Sequence, residues 1–120
     1  MTSQNSNLGM EGEGKAVVFL QEKGYTILEQ NYATKFGEID IIAQETDTIV
    51  FVEVKARSTY SFGGPEEQIP WQKQQRITKI ALTYLKKNHL EDKPIRFDVV
   101  TISPDNTIEL IKNAFDAGGN

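Results

Sequence analysis

Two runs of alternating apolar and polar residues, separated by a short polar stretch, form the centre of this chain: GEIDIIAQETDTIVFVEVKAR, residues 37–57. Side chains along a strand alternate faces with period two. In the first run Glu38, Asp40 and Ile42 share one face, and Ile39, Ile41 and Ala43 share the other. In the second, Val50, Val52, Val54 and Ala56 form a wholly apolar face, opposite Phe51, Glu53, Lys55 and Arg57. Residues 44–48 supply the turn of a hairpin, and the third strand runs over residues 49–57. A strand is also predicted over residues 25–33. The period changes to the helical one in two places. Ala16, Val17, Phe19 and Leu20 make an apolar stripe from about Gly12, with Gly24 as its stop. Ile77, Ile80, Ala81, Tyr84 and Leu85 recur at i, i+3, i+4, i+7 and i+8, in a helix opened by Pro70 and ending near Asn88. Residues 58–65 are a loop rich in Gly and Pro. Residues 95–102 form a fourth strand and residues 107–111 a weaker fifth.

The order is therefore α-β-β-β-α-β-β. The first three strands are joined too tightly for crossovers and make an antiparallel meander. The long second helix allows a return to a parallel neighbour. The expected fold class is α/β, a mixed central sheet flanked by helices. One domain spans residues 11–115, with residues 1–10 as a disordered tail and residues 116–120 frayed.

Composition narrows the chemistry. With 120 residues the chain has room for one core. It has no cysteine and a single histidine, His89, expected at the surface near a helix end. Any metal must be held by carboxylates, which favours hard cations such as Mg2+ or Mn2+. No apolar run approaches the ~18 residues of a membrane helix, and the N-terminus lacks the apolar region of a signal peptide. A cytoplasmic location is expected. The net charge of −4 is unevenly spread. Residues 1–54 carry 3 Lys/Arg against 9 Asp/Glu, and residues 55–96 carry 9 against 4. A basic middle of this kind is either a phosphate footprint or a solvated helix face.

Asp40, Glu53 and Lys55 are charges set among positions that should be buried, and unpaired buried charge is costly. Pairing around the hairpin turn brings Asp40 near Glu53 or Lys55. Two carboxylates completed by water and phosphate oxygens make a magnesium site, and Lys55 would stabilise charge developing on a phosphate. The competing reading is an exposed cross-strand ion pair of small worth. Glu13, near the start of the first helix, complements the helix dipole on spacing alone.

GEIDIIA followed by FVEVKAR, the Lys73 helix and then RFDVV closely resembles the YraN-like family, small bacterial proteins described as candidate endonucleases. That family is similar to archaeal Holliday-junction resolvases within the PD-(D/E)XK nuclease superfamily. The resemblance runs from about Gly12 to Ile102. It implies a restriction-endonuclease-like fold and a Mg2+- or Mn2+-dependent endodeoxyribonuclease acting on DNA, with branched or damaged DNA as the candidate substrate. Asp40, Glu53 and Lys55 match the catalytic positions. Glu13 matches the N-terminal acidic residue of the resolvase branch, joining Asp40 and Glu53 as metal ligands. The proline of the superfamily name is absent, with Ile39 before Asp40. Resolvases of this fold act as homodimers, which extends the same expectation here.

Arg57, Lys73 and Arg76 are the candidate DNA contacts. Arg57 either reaches a phosphate or is solvated at the strand end. Trp71 and Tyr60 could stack on an unpaired base, with core or loop packing preferred. Arg96 and Asp98 read as a surface pair rather than as support for the site. Two other functions stay open: a catalytically inactive nucleic-acid-binding module with the nuclease fold, and a protein-interaction domain. Metal titration separates the enzyme from both, and salt-dependent DNA binding separates the last two.

Overall fold

The β-branched and aromatic runs pair into one five-stranded sheet in the order β1-β2-β3-β4-β5. The computed structural model describes residues 4–57 and 69–116. The expected 58–65 loop with Tyr60, and residues 117–120, lie outside the described residues. The elements are α1 (Gln4–Glu22), β1 (Thr26–Thr34), β2 (Gly37–Glu45), β3 (Thr48–Ala56), α2 (Trp71–Lys87), β4 (Ile95–Ile102) and β5 (Ile108–Phe115). β1, β2 and β3 form the antiparallel meander. β4 returns parallel to β3, and β5 closes the far edge antiparallel to β4. The mixed α/β fold is thus the expected one. No described helix is long and apolar enough to cross a membrane.

Each helix covers one face of the sheet. Ile77, Ile80, Ala81, Tyr84 and Leu85 of α2 pack on Ile42, Phe51, Phe97 and Val99. Ala16 and Leu20 of α1 pack on Ile41, Ala43, Val50, Val52 and Val100. Strand alternation sends Phe51 to one helix and Val50 and Val52 to the other, as the pattern requires. Tyr84 stands edge-on to Phe51, with ring centroids 6.1 Å apart.

Both helices end where their stop signals fall. Gly24 takes a φ of 95°, and the Tyr25 N–H donates to the Leu20 carbonyl. α2 closes with His89 at a φ of 58°, and the Leu90 N–H donates to the Leu85 carbonyl. That is a six-residue closure of the Schellman type, with histidine where glycine is usual. His89 is exposed at this helix end, as expected.

Three local expectations need correction. α1 begins at Gln4, upstream of Gly12. An apolar stripe marks only the part of a helix that packs, so its first residue is not the helix start. Glu13 therefore lies more than two turns inside α1, where the dipole effect has faded. Ile39 does not share a face with Ile41 and Ala43. It packs with Ile42 under α2, so two residues, Asp40 and Ile41, intervene where strict alternation allows one or three. Trp71 is 67% exposed rather than packed, because the first residue of α2 lies off the apolar stripe.

The β1–β2 turn is held by side chains. The Phe36 N–H donates to Thr34 Oγ1, and that hydroxyl donates to the Gly37 carbonyl. Gly37 has a φ of 132°, and a Cβ there would lie 3.1 Å from Arg76 Cδ. Gly37→Ala should therefore cost about 1–3 kcal/mol from backbone strain at that φ. Urea unfolding checks this, with the neighbouring Lys35→Ala expected to be near neutral.

Candidate functional site

β2 and β3 pair from Glu45↔Thr48 up to Ile41↔Val52 and then part. Beyond that point each strand has a free stretch facing the other, a fork in the middle of the sheet. Asp40 is the first β2 residue past the fork. Its carboxylate accepts a hydrogen bond from the Val54 N–H at 2.8 Å, replacing a ladder bond. That substitution is the reason alternation fails at Asp40. A side chain short enough to turn back on the neighbouring strand becomes part of its hydrogen bonding.

Glu53, the first β3 residue past the fork, is 9% exposed. It forms an ion pair with Lys73, which reaches across from the first turn of α2. Lys73, expected to face a phosphate, instead neutralises a buried carboxylate as the chain stands. Glu13 approaches from α1. It stands close enough to repel the Asp40 carboxylate, with Asn31 beside it.

The charges at the fork feel one another. Burial, then repulsion from Glu53 and Glu13, pushes the Asp40 carboxyl up to about 7. The Val54 N–H and the Lys73 ammonium oppose that rise without cancelling it. Glu13 is also raised, first by burial and then by Glu38 and Glu53, against the hydrogen bond from Asn31. Mutual repulsion of this kind is what carboxylates sharing one partly buried place experience. The donor set is all oxygen and suits Mg2+ or Mn2+ better than a soft metal. Among the described residues no three such groups stand close enough to share a cation as placed, since Glu53 is turned to Lys73.

The other expected site residues are placed as follows. Lys55 is half-buried two residues beyond Glu53, paired across the ladder with Thr101. Arg57 is 4% exposed, so the solvated strand-end arginine is not what the fold gives. Its N–H donates to the Ile102 carbonyl at 2.7 Å, extending the β3–β4 ladder. Arg76 is exposed on α2, one turn beyond Lys73, and lies over Gly37.

Asn31 was not singled out from the sequence. It has a φ of 52° and stands between the pairs Gln30↔Ile41 and Tyr32↔Ile39, opposite Asp40. Asparagine is poor in strands and tolerant of left-handed backbone. An Asn inside an otherwise β-rich run was the available signal.

A second charged group lies on β4, where Asp98 pairs across the ladder with Val52. Asp98 is not on the surface, being 1% exposed. It accepts from Tyr25 Oη at 3.1 Å, from Arg96 Nε at 2.9 Å and Arg96 Nη2 at 3.0 Å, and from the Asn113 N–H at 3.0 Å. Arg96 also donates to Glu45 at 2.7 Å. The pairing of Arg96 with Asp98 holds; its surface position does not.

The sequence profile of the uncharacterised protein family UPF0102 matches residues 12–102 of this chain. A UPF0102 protein of Desulfosudis oleivorans is 50% identical over 118 residues, covering 98% of this chain and 96% of that one. A UPF0102 protein of Syntrophus aciditrophicus is 51% identical, over 95% and 92% of the two chains. That of Nitrosomonas eutropha is 47% identical, over 97% and 99%. The crystal structure of SSO0001 overlays with a TM-score of 0.42 at 18% identity, over 96% of this chain and 55% of that one. An overlay that loose supports no inference about activity.

Proposed function

This chain belongs to the UPF0102 family, and from that premise we propose that it is a metal-dependent endonuclease hydrolysing DNA phosphodiester bonds. The observation that carries the reading is the fork. Asp40 and Glu53 occupy the first positions after β2 and β3 part, Glu13 is near enough to repel Asp40, and Lys55 stands two residues on. Strand pairing does not require three mutually repelling carboxylates at one place. A reaction on a phosphodiester does use such a set.

Asp40, Glu53 and Glu13 would hold Mg2+ or Mn2+, which when bound polarises a phosphoryl oxygen and acidifies a water. The Val54 N–H orients the Asp40 carboxylate toward the fork. Lys73 pairs with Glu53, and a bound cation would take the place of its ammonium there. Lys55 contributes positive charge near the phosphate as negative charge builds there. Lys73 and Arg76 are the residues proposed to meet the DNA backbone, with branched or damaged DNA as the substrate class; Arg57 is too buried to join them. The second reading is a nucleic-acid-binding module that kept the fold without activity. The Lys73–Glu53 pair favours it, because a permanent ion pair would take one ligand out of use.

Lys55→Ala separates the two. Ammonium is not a ligand for a cation, so the variant should keep the rise in thermal midpoint that millimolar Mn2+ gives the wild type. Cleavage of a panel of linear, flapped, nicked and four-way DNA should fall about 10²- to 10³-fold. If the wild type shows neither a Mn2+-induced rise nor cleavage of any DNA, the binding module replaces the enzyme.

A further inference from the structure

Phe36 is an aromatic ring placed on the surface by a turn that is itself fixed. The ring is 38% exposed at the tip of the β1–β2 hairpin. Thr34 Oγ1 holds the Phe36 N–H at 3.0 Å, and Arg76 packs against Gly37 beside it. Two ammonium groups stand over the ring, Lys35 Nζ at 5.4 Å and Lys79 Nζ at 5.8 Å from its centroid. Among the described residues neither lysine is in an ion pair. A chain with a net charge of −4 therefore gathers three cations, Lys35, Arg76 and Lys79, around one exposed ring.

The position of this group relative to the fork matters. Gly37 opens β2, and Asp40 is three residues further along the same strand, about 10 Å away. On α2, Lys73, Arg76 and Lys79 recur every three residues and rise about 4.5 Å at each step. The first pairs with Glu53 at the fork and the last stands over Phe36. A line of cations thus joins the acidic cluster to the aromatic tip.

We propose that Phe36 is a stacking platform for an unpaired base, with Lys35, Arg76 and Lys79 holding the adjoining phosphates of a single strand. A π-face accepts any base, and flanking cations follow the backbone. The lysines now over the ring move to the phosphates when a base takes their place. The inference deepens the nuclease reading and rests on it for the nature of the ligand. It assigns to the substrate an unpaired stretch next to the cleaved bond.

The test is binding in EDTA, by fluorescence anisotropy, of a single-stranded oligothymidylate and of a blunt duplex. Phe36→Ala should weaken single-strand binding about tenfold. It should leave duplex binding and the slope of affinity against salt unchanged, because no phosphate contact is lost. Phe36→Tyr should restore binding, and the thermal midpoint of both variants should stay at the wild-type value. Lys79→Ala should reduce the salt slope instead. Equal weakening on both DNAs, no weakening at all, or no DNA binding by the wild type would each overturn the platform. Since no metal is present, the outcomes stay separable. Cleaving protein that is indifferent to Phe36→Ala keeps the nuclease and loses the platform. Phe36-dependent binding without any cleavage keeps the platform and loses the nuclease.

Discussion

Asp40→Asn is expected to make the metal-free protein more stable at pH 8 and to abolish stabilisation by Mn2+. The substitution keeps an oxygen for the Val54 N–H and removes one charge from beside Glu53 and Glu13. The folded Asp40 carboxyl is raised to about 7 from its ordinary 3.8. A folded state with the higher value binds more protons than the unfolded chain. Its contribution to stability is complete below about pH 4 and is lost as pH rises through about 7. Above that pH the wild type carries an ionised, repelled carboxylate that Asn lacks. The gain for Asn should be on the order of 2 kcal/mol at pH 8, a midpoint rise of about 6–8 °C, and should vanish near pH 4. In millimolar Mn2+ the wild type should rise and Asp40→Asn should not, so the gap closes or reverses. Scanning calorimetry at pH 4, 6 and 8 with and without Mn2+ measures all of this. An Asn variant less stable than the wild type at pH 8 without metal would show that the carboxylates at the fork do not repel.

Asp98→Ala should be the most damaging single change to the fold, costing about 3–5 kcal/mol. The side chain is fully buried and accepts from Tyr25, from two nitrogens of Arg96 and from the Asn113 N–H. Truncation leaves a partly buried guanidinium, a hydroxyl and an edge-strand N–H without their acceptor, each at a desolvation cost. The same carboxylate strengthens the guanidinium's hold on its proton, and burial together with Asp98 raises the Tyr25 phenol. Tyr25→Phe removes one donor to Asp98 and one acceptor for Arg96 and should cost only about 1–2 kcal/mol. Because the network of Asp98 and Arg96 in β4 ties in the 22–26 corner through Tyr25, β2 through Glu45 and β5 through Asn113, the loss should appear as global unfolding. Cleavage by any protein still folded should be unchanged, since none of the network's hydrogen bonds goes to Asp40, Glu53 or Glu13. A loss under about 1 kcal/mol for Asp98→Ala would return Arg96–Asp98 to the exposed pair read from sequence.

Periodicity determined most of the frame. β4 spans the run predicted for it, the α2 stripe is the buried face, and Val50 and Val52 stand opposite Phe51. These features are local: a period of 2.0 or 3.6 is written in neighbouring residues and survives any tertiary context that buries one face. The positions of Asp40 and Glu53 on adjacent strands were legible for the same reason. How those residues are used was not. The break in alternation at Asp40 comes from an N–H fourteen residues away, on Val54. Glu53 meets Lys73 across twenty residues, and Asp98 meets Tyr25 across seventy-three. Glu13 reads as a helix-dipole residue until the helix is seen to begin at Gln4. A charged side chain's partner is chosen by the chain that folds over it, and the desolvation that raises Asp40 exists only once α1, β2 and β3 enclose it. The sequence by itself determined which strands and helices form and which faces they bury. Only the tertiary structure decided which charges share the fork and which are sealed beneath Arg96, because both depend on non-local burial that no period records.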